Sequence, residues 1–420
     1  MRLEEFIEVF DQRAERIKTL FQVPKSVETY FSCMRDYYVN VMNAEKEGKP
    51  LAWVSIIAPM EIFYAMDIVP FAIDPYAITV SAFAYYKKED CKYFDIGDSY
   101  GYPGDACSPH RACVGLALDG ALPKPDVIYA PTPMPCDSAV AVFDVLADIT
   151  KAPSYFANYE YRSSSHGVEH LKNEFYELVE FLEKHTGKKL NEDKLRGIIK
   201  TSTEAVNVML DIQQLRKKKP CPLRARDAFN SFGMRIAGLG RPEALEYYNI
   251  QMGEVMGRVE RGEGALKEEK HRLVASGAYP FFAMEIIDWI QEEFGAIFVA
   301  DFLNCRPYQK VKEEITDPIE YLAKRNLRAF GVETNYGPCD IIINQIVENI
   351  KEADVDGSFY FTHFGCKQAC GLQKIYRDRI MDEVGIPTAF IDMDISDPKI
   401  VSVDQMKNKV SEYMSMLNKG

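Results

Sequence analysis

The stretch Leu51-Ala52-Trp53-Val54-Ser55-Ile56-Ile57, followed by Pro59-Met60-Glu61 and then by Ile68-Val69-Pro70-Phe71-Ala72-Ile73, decides the fold. Two short apolar runs read as strands, and Pro59 opens a short helical stretch between them. The second run ends at Asp74-Pro75, because proline lacks the amide a strand ladder needs. A polar loop rich in Tyr and Gly follows at 100–104, then a helix over about 109–118. Pro125-Asp126-Val127-Ile128-Tyr129-Ala130 reads as a further buried strand. Unbroken apolar runs mark strands covered on both faces, and their alternation with helices predicts a parallel sheet.

Residues 1–50 read as helical, with Phe6, Val9 and Phe10 and later Tyr30, Met34, Tyr37 and Tyr38 at helical spacing. The first α/β lobe spans 51–165. Residues 166–270 form a long, charged helical insert, with Leu178, Val179, Phe181 and Leu182 on one face and a break at Lys219-Pro220-Cys221-Pro222. From 271 to 420 the alternation returns as a second α/β lobe. Its candidate strands lie at 273–275, 296–300, 358–362 and 388–391, and its helices near 283–294, 340–352, 369–384 and 403–417. No internal repeat is visible.

The 420 residues carry 50 Lys+Arg against 63 Asp+Glu, a formal charge of −13. An acidic chain is poorly suited to nucleic acid or an anionic membrane, which need a basic face. No apolar run reaches membrane-spanning length, and Met1-Arg2-Leu3-Glu4-Glu5-Phe6 does not begin a signal peptide. The expectation is a cytoplasmic protein without nucleic-acid or membrane partners. Ten cysteines are too sparse for a disulfide scaffold, and in a reducing compartment clustered thiols point to metal or redox chemistry.

Cys107, Cys136, Cys305, Cys339 and Cys366 each follow an apolar strand or precede a helix. Loops beyond the carboxyl ends of parallel strands converge on one crevice, and a nearby helix N-terminus favours thiolate. Two lobes delivering cysteines to a shared cleft suit an iron–sulfur cluster without any compact C-x-x-C run. Cys366 and Cys370 form C-x-x-x-C, on one helix face. Cys33, Cys91 and Cys221 read as small core hydrophobes. His166-Gly167-Val168-Glu169-His170 matches the zinc-peptidase pattern H-x-x-E-H. Preceding serines that cap a helix offer the plainer account, in which the histidines face solvent. Neither G-x-x-x-x-G-K nor G-x-G-x-x-G occurs, so ATP binding through such loops is not expected.

Five segments resemble the 2-hydroxyacyl-CoA dehydratase D-component superfamily, which includes benzoyl-CoA reductase subunits and double-cubane cluster proteins. They are the run from Pro59-Met60-Glu61 to Val69-Pro70, Cys107-Ser108-Pro109-His110-Arg111 with Gly115-Leu116-Ala117, Pro135-Cys136-Asp137, His363-Phe364-Gly365-Cys366-Lys367, and Gly385-Ile386-Pro387 with Asp392-Met393-Asp394. The resemblance implies two Rossmann-like lobes with an iron–sulfur cluster between them. Cys107, Cys136 and Cys366 would be the three ligands of a four-iron four-sulfur cubane, its fourth iron open. A separate ATP-hydrolysing iron–sulfur activator would supply low-potential electrons.

Cys305, Cys339 and Cys370 are additional and stand at positions like those of the double-cubane branch, where six cysteines hold an 8Fe-9S cluster. Cys113 is an alternative sixth ligand or ordinary helix core. The resemblance also implies a carboxylate near the cluster at Glu61, where a raised pKa would suit proton transfer. His110 and His363 adjoin the ligands and would donate protons or hydrogen bonds. Lys367 would offset anionic charge. Asp392, Asp394 and Asp397 read as loop and capping residues. The leading expectation is an iron–sulfur reductase component, a homodimer, reducing a small molecule or acyl-CoA at a double-cubane 8Fe-9S cluster. The alternative is a 2-hydroxyacyl-CoA dehydratase subunit with one cubane and a sister subunit.

Overall fold

The computed structural model describes residues 2–19, 23–133, 135–161, 164–304, 314–328, 332 and 337–417. Within them, two four-stranded parallel sheets form the two lobes. The first holds β1 (Leu51–Val54), β2 (Val69–Ala72), β3 (Val127–Thr132) and β4 (Ser154–Asn158), in the order β2-β1-β3-β4. The second holds β5 (His271–Gly277), β6 (Ala296–Asp301), β7 (Gly357–His363) and β8 (Thr388–Met393), in the order β6-β5-β7-β8. Both sheets therefore wind identically, although no sequence repeat betrays it. In each, the chain steps to one side and then crosses to the other, leaving a switch point between β1 and β3 and between β5 and β7.

Side-chain alternation explains why the runs are apolar throughout. Trp53, Phe71 and Ile128 face one core while Val54, Ala72, Val127 and Tyr129 face another. The parallel register sets Trp53 opposite both Phe71 and Ile128. Helices Leu3–Thr19 and Lys25–Asn43 cover the first face with Phe6, Phe10, Tyr37 and Tyr38. Tyr37 also guards the exposed edge of β2, since its hydroxyl donates to Pro70 O (3.1 Å) and accepts from Ala72 N (2.8 Å).

The helical stretch braces both lobes. Helix Ser165–Thr186 lays Leu171, Phe175, Leu178 and Leu182 on the second face of the first sheet. Arg216, at the end of helix Glu192–Arg216, is wholly buried, donates to Phe298 O (3.0 Å) and pairs with Asp301 of β6. Helices Ala225–Gly238 and Pro242–Arg261 complete it. No helix among the described residues is long and apolar enough to cross a membrane.

Several elements escape the sequence reading, helices Asp137–Thr150 and Pro318–Leu327 among them. Strand β4 is an edge strand with a half-buried Ser154-Tyr155-Phe156 start, so it lacks the apolar run of its neighbours. Asp74-Pro75 does end β2, yet it also opens helix Ile73–Tyr86, because proline suits the first helical turn as well as it ends a strand. Helix Lys92–Tyr100 follows, closed by Gly101 at φ +97°.

Candidate functional site

The carboxyl ends of both sheets open on one cavity of about 280 Å³. Its wall takes residues from both lobes, from helix Lys25–Asn43 and from helix Ala225–Gly238. Three thiols stand in that wall: Cys107, Cys136 and Cys366. Each is the N-cap residue of a helix, respectively Ser108–Leu118, Asp137–Thr150 and Lys367–Val384. Cys366 Sγ accepts from Ala369 N at 3.5 Å. An N-cap is where a thiolate gains most from free backbone amides and the helix dipole.

Local packing fixes these helices. Helix Ser108–Leu118 crosses helix Lys92–Tyr100 at glycines: a Cβ on Gly115 would stand 2.0 Å from Tyr93 O, and one on Gly97 would stand 2.5 Å from Arg111 O. Its far side holds the second lobe. Ser108 Oγ hydrogen-bonds Asp394, and Arg111 pairs with Asp397 at 2.7 Å, both side chains buried. Asp394 also accepts from Ser396 N and Asp397 N (2.8 and 2.7 Å), so the capping role read from sequence is accompanied by a link between lobes.

Burial pushes the Cys107 thiol far up, reinforced by Cys136, Cys366 and Asp394. Cys136 is pushed to about 12 by burial and then by Cys366, and burial also raises Cys366. The three sulfurs thus share one electrostatic environment. No three His, Cys, Asp or Glu groups among the described residues converge on a single ion. Thiolates are soft donors, of the kind that bind zinc and iron–sulfur groups.

The histidines read from sequence line the same cavity. His110 Nδ1 is 2.7 Å from Ser138 Oγ, and burial with help from His363 lowers its pKa to about 3, leaving a neutral ring. His363 closes β7, buried, with neither ring nitrogen hydrogen-bonded among the described residues and Asp394 Oδ2 3.4 Å from Nδ1. Burial lowers its pKa too, against Asp394. Such orphaned nitrogens await a partner.

Other expectations are placed elsewhere. Glu61 lines a separate cavity of about 60 Å³ and is ion-paired with Arg325. Burial alone would raise its pKa, but the charge and hydrogen bond of Arg325, with Ser202, outweigh this and hold it below the usual range. The expected raised pKa is corrected: this carboxylate is kept ionised. Cys370 lies exposed in the first turn after Cys366, its thiol 3.5 Å from His363 O and off the cavity. Cys339 is exposed at the start of helix Cys339–Ala353. Cys305 lies outside the described residues.

Cys113 is wholly buried, 3.7 Å from Ile73 O, a helix-core thiol. Burial holds Cys33, Cys91 and Cys221 at about 11, as inert core residues. His166 is exposed and paired with Glu160, behind a Ser164 cap on Gly167 N (2.9 Å), as the solvent-facing account requires, whereas His170 is half-buried with Glu174 3.9 Å away. Lys367 reaches outward to Asp105 (3.1 Å). Sequence reasoning missed Asp74, a buried carboxyl in the cavity wall. Its signal was its place directly after β2 at the carboxyl end of the sheet.

Fold and site together define a two-lobed α/β protein that gathers three helix-capping cysteines in an interlobe cavity. The family 2-hydroxyglutaryl-CoA dehydratase, D-component, matches residues 55–417, and the chain belongs to it. It is 22% identical over 397 residues to the (R)-2-hydroxyisocaproyl-CoA dehydratase alpha subunit of Clostridioides difficile, covering 91% of this chain and 94% of that one. It is 25% identical over 351 residues to a benzoyl-CoA reductase subunit of Thauera aromatica, covering 76% and 78%. The (R)-phenyllactyl-CoA dehydratase alpha subunit of Clostridium sporogenes is 21% identical over 392 residues, covering 88% and 90%.

Proposed function

We propose that this chain is the cluster-bearing subunit of an acyl-CoA dehydratase or reductase system, with an iron–sulfur cluster held by Cys107, Cys136 and Cys366. The observation that carries this is the convergence of three helix-capping cysteines, from both lobes, on one cavity. The residues fit the group. Thiolates are its ordinary ligands, three of them leave one iron open, and His363 offers unpartnered nitrogens beside them. When bound, the cluster supplies single-electron reduction at a position a substrate can reach.

The chain's own residues shape the surroundings. Apolar walls, including Phe229, Phe232, Ile236 and Ile342, exclude water. His110, held by Ser138, stays neutral and adds no charge. Electrons come from a separate ATP-hydrolysing iron–sulfur activator, in keeping with the lack of a phosphate-binding loop in the sequence. The substrate is an acyl-CoA or small molecule, and the assembly is a homodimer or a pair with a sister subunit. Anaerobic purification with iron and sulfide counting tests the reading. About four iron per chain is expected for one cubane, and zinc or no iron overturns it.

A second reading, a double-cubane 8Fe-9S cluster using also Cys305, Cys339 and Cys370, draws on one observation. Cys339 and Cys370 both lie in first turns of helices that pack together, with exposed thiols. It requires about eight iron per chain, and a Cys370→Ser variant that loses iron. Full iron in that variant leaves the three-cysteine reading alone.

A further inference from the structure

We propose that Asp74 is the proton-bearing polar group of the cavity, donating a hydrogen bond from its carboxyl to an uncharged acceptor on the molecule bound beside Cys107, Cys136 and Cys366. The inference rests on the cavity being the reaction site, as proposed above. Asp74 sits in the first turn of helix Ile73–Tyr86, directly after β2, at the carboxyl end of the first sheet. It is only 4% exposed, lines the cavity, and its Oδ1 has no hydrogen-bond partner among the described residues. No lysine or arginine lines that cavity among the described residues.

Among the described residues, Asp74 acts on two thiols, Cys113 on helix Ser108–Leu118 and Cys136 before helix Asp137–Thr150, and raises both. Negative charge on such sulfurs opposes a second negative charge nearby. A carboxylate here would be buried without a cation, so the neutral acid is the favoured form. Burial accordingly holds Asp74 at about 7, against the pull of the Ile56 amide and Ser55. A protonated carboxyl has an O–H to donate. The wall it faces across the cavity, at Ile78, Phe229, Phe232 and Ile236, is apolar, so on the cavity side the acceptor arrives with the ligand, while Ser55 lies behind. An anionic ligand group finds no cation, whereas the carbonyl of an apolar acyl or aryl body finds the donor it needs.

The test uses the anaerobically purified full chain, with acetophenone as an uncharged carbonyl probe and ethylbenzene as its hydrocarbon counterpart. The infrared difference between wild type and Asp74→Asn, taken below pH about 7, should show a protonated-carboxyl band. Acetophenone at saturation should shift that band and ethylbenzene should not. An absent band, or one that acetophenone leaves unmoved, overturns the proposal. Should the variant fold poorly, wild type grown on isotope-labelled aspartate gives the same band assignment by its isotope shift.

Stability supplies an independent readout. The folded state keeps a proton that the unfolded chain gives up in the ordinary carboxylate range, so wild-type stability falls as pH rises from there to about 7. Asp74→Asn should remove that decline, and an unchanged pH dependence of its melting temperature counts against the proposal. Iron counted on the same samples separates the two readings. Wild type lacking iron sinks the cluster assignment, while the band still reports on Asp74.

Discussion

At Glu61 a partner 264 positions away decides a protonation state. Nothing near Glu61 in the sequence announces Arg325, so both the expected raised pKa and the alternative of an exposed helix-end residue miss. The residue is buried and ionised. Arg325 is itself tied to Ser202 Oγ (2.7 Å) and Thr203 Oγ1 (3.2 Å), so it cannot swing away when Glu61 changes. Glu61→Gln should therefore leave a buried, unneutralised guanidinium and lose about 3–5 kcal/mol of stability at neutral pH, read from denaturant unfolding. The folded-state pKa of Glu61 is lowered. Its contribution is then complete above the ordinary carboxylate range and fades as pH falls through the folded value. The gap between wild type and Glu61→Gln should narrow on acidification, and a gap that widens there would contradict the ion pair. Asp74 was missed for another reason: its place after a strand was a signal, but an Asp-Pro pair there reads as punctuation, and the assembled cavity shows its unpartnered oxygen.

At the scale of the element, much was legible. Strand runs, the helices after them and the cysteines at their junctions could be read because buried parallel strands leave unbroken apolar stretches and helix starts have few acceptable residues. What the junctions do together was less legible, since Cys339 stands at a helix start like Cys366, and Cys370 lies on the helix Cys366 caps, yet both are exposed and off the cavity. The capping role of Cys366 separates two functions that one side chain combines. Serine keeps a cap acceptor but not a soft thiolate; alanine keeps neither. Cys366→Ser and Cys366→Ala should both lose iron, whereas the alanine variant should be less stable than the serine variant by about 0.5–2 kcal/mol. Iron assay beside thermal unfolding checks this. Full iron in Cys366→Ser would remove that residue from the ligand set.

For the whole molecule, the sequence shows two lobes but not what clasps them, because the clasp joins residues 286 positions apart. Ser108 and Arg111, on the helix that Cys107 caps, engage Asp394 and Asp397 in the loop after β8. Tyr85 packs edge-on against Phe282 (5.0 Å between centroids) across the same junction. The spacing of Cys107 and Cys366 therefore depends on a buried ion pair as well as on apolar contact. Nearby, Lys399 pairs with Asp95 at 3.4 Å, with both side chains exposed. The two pairs span the same seam, so they make a controlled comparison. In Asp397→Asn, Arg111 retains one carboxylate among the described residues, Asp98 (3.1 Å), whose side chain is 43% exposed. That variant should lose about 3 kcal/mol, at the low end for an orphaned buried charge, and retain less iron, because the lobes no longer hold their thiols in register. Lys399→Ala, which breaks a solvated pair, should cost no more than about 1 kcal/mol and keep its iron. Equal stability and equal iron in the two variants would mean that apolar packing alone sets the distance between the lobes.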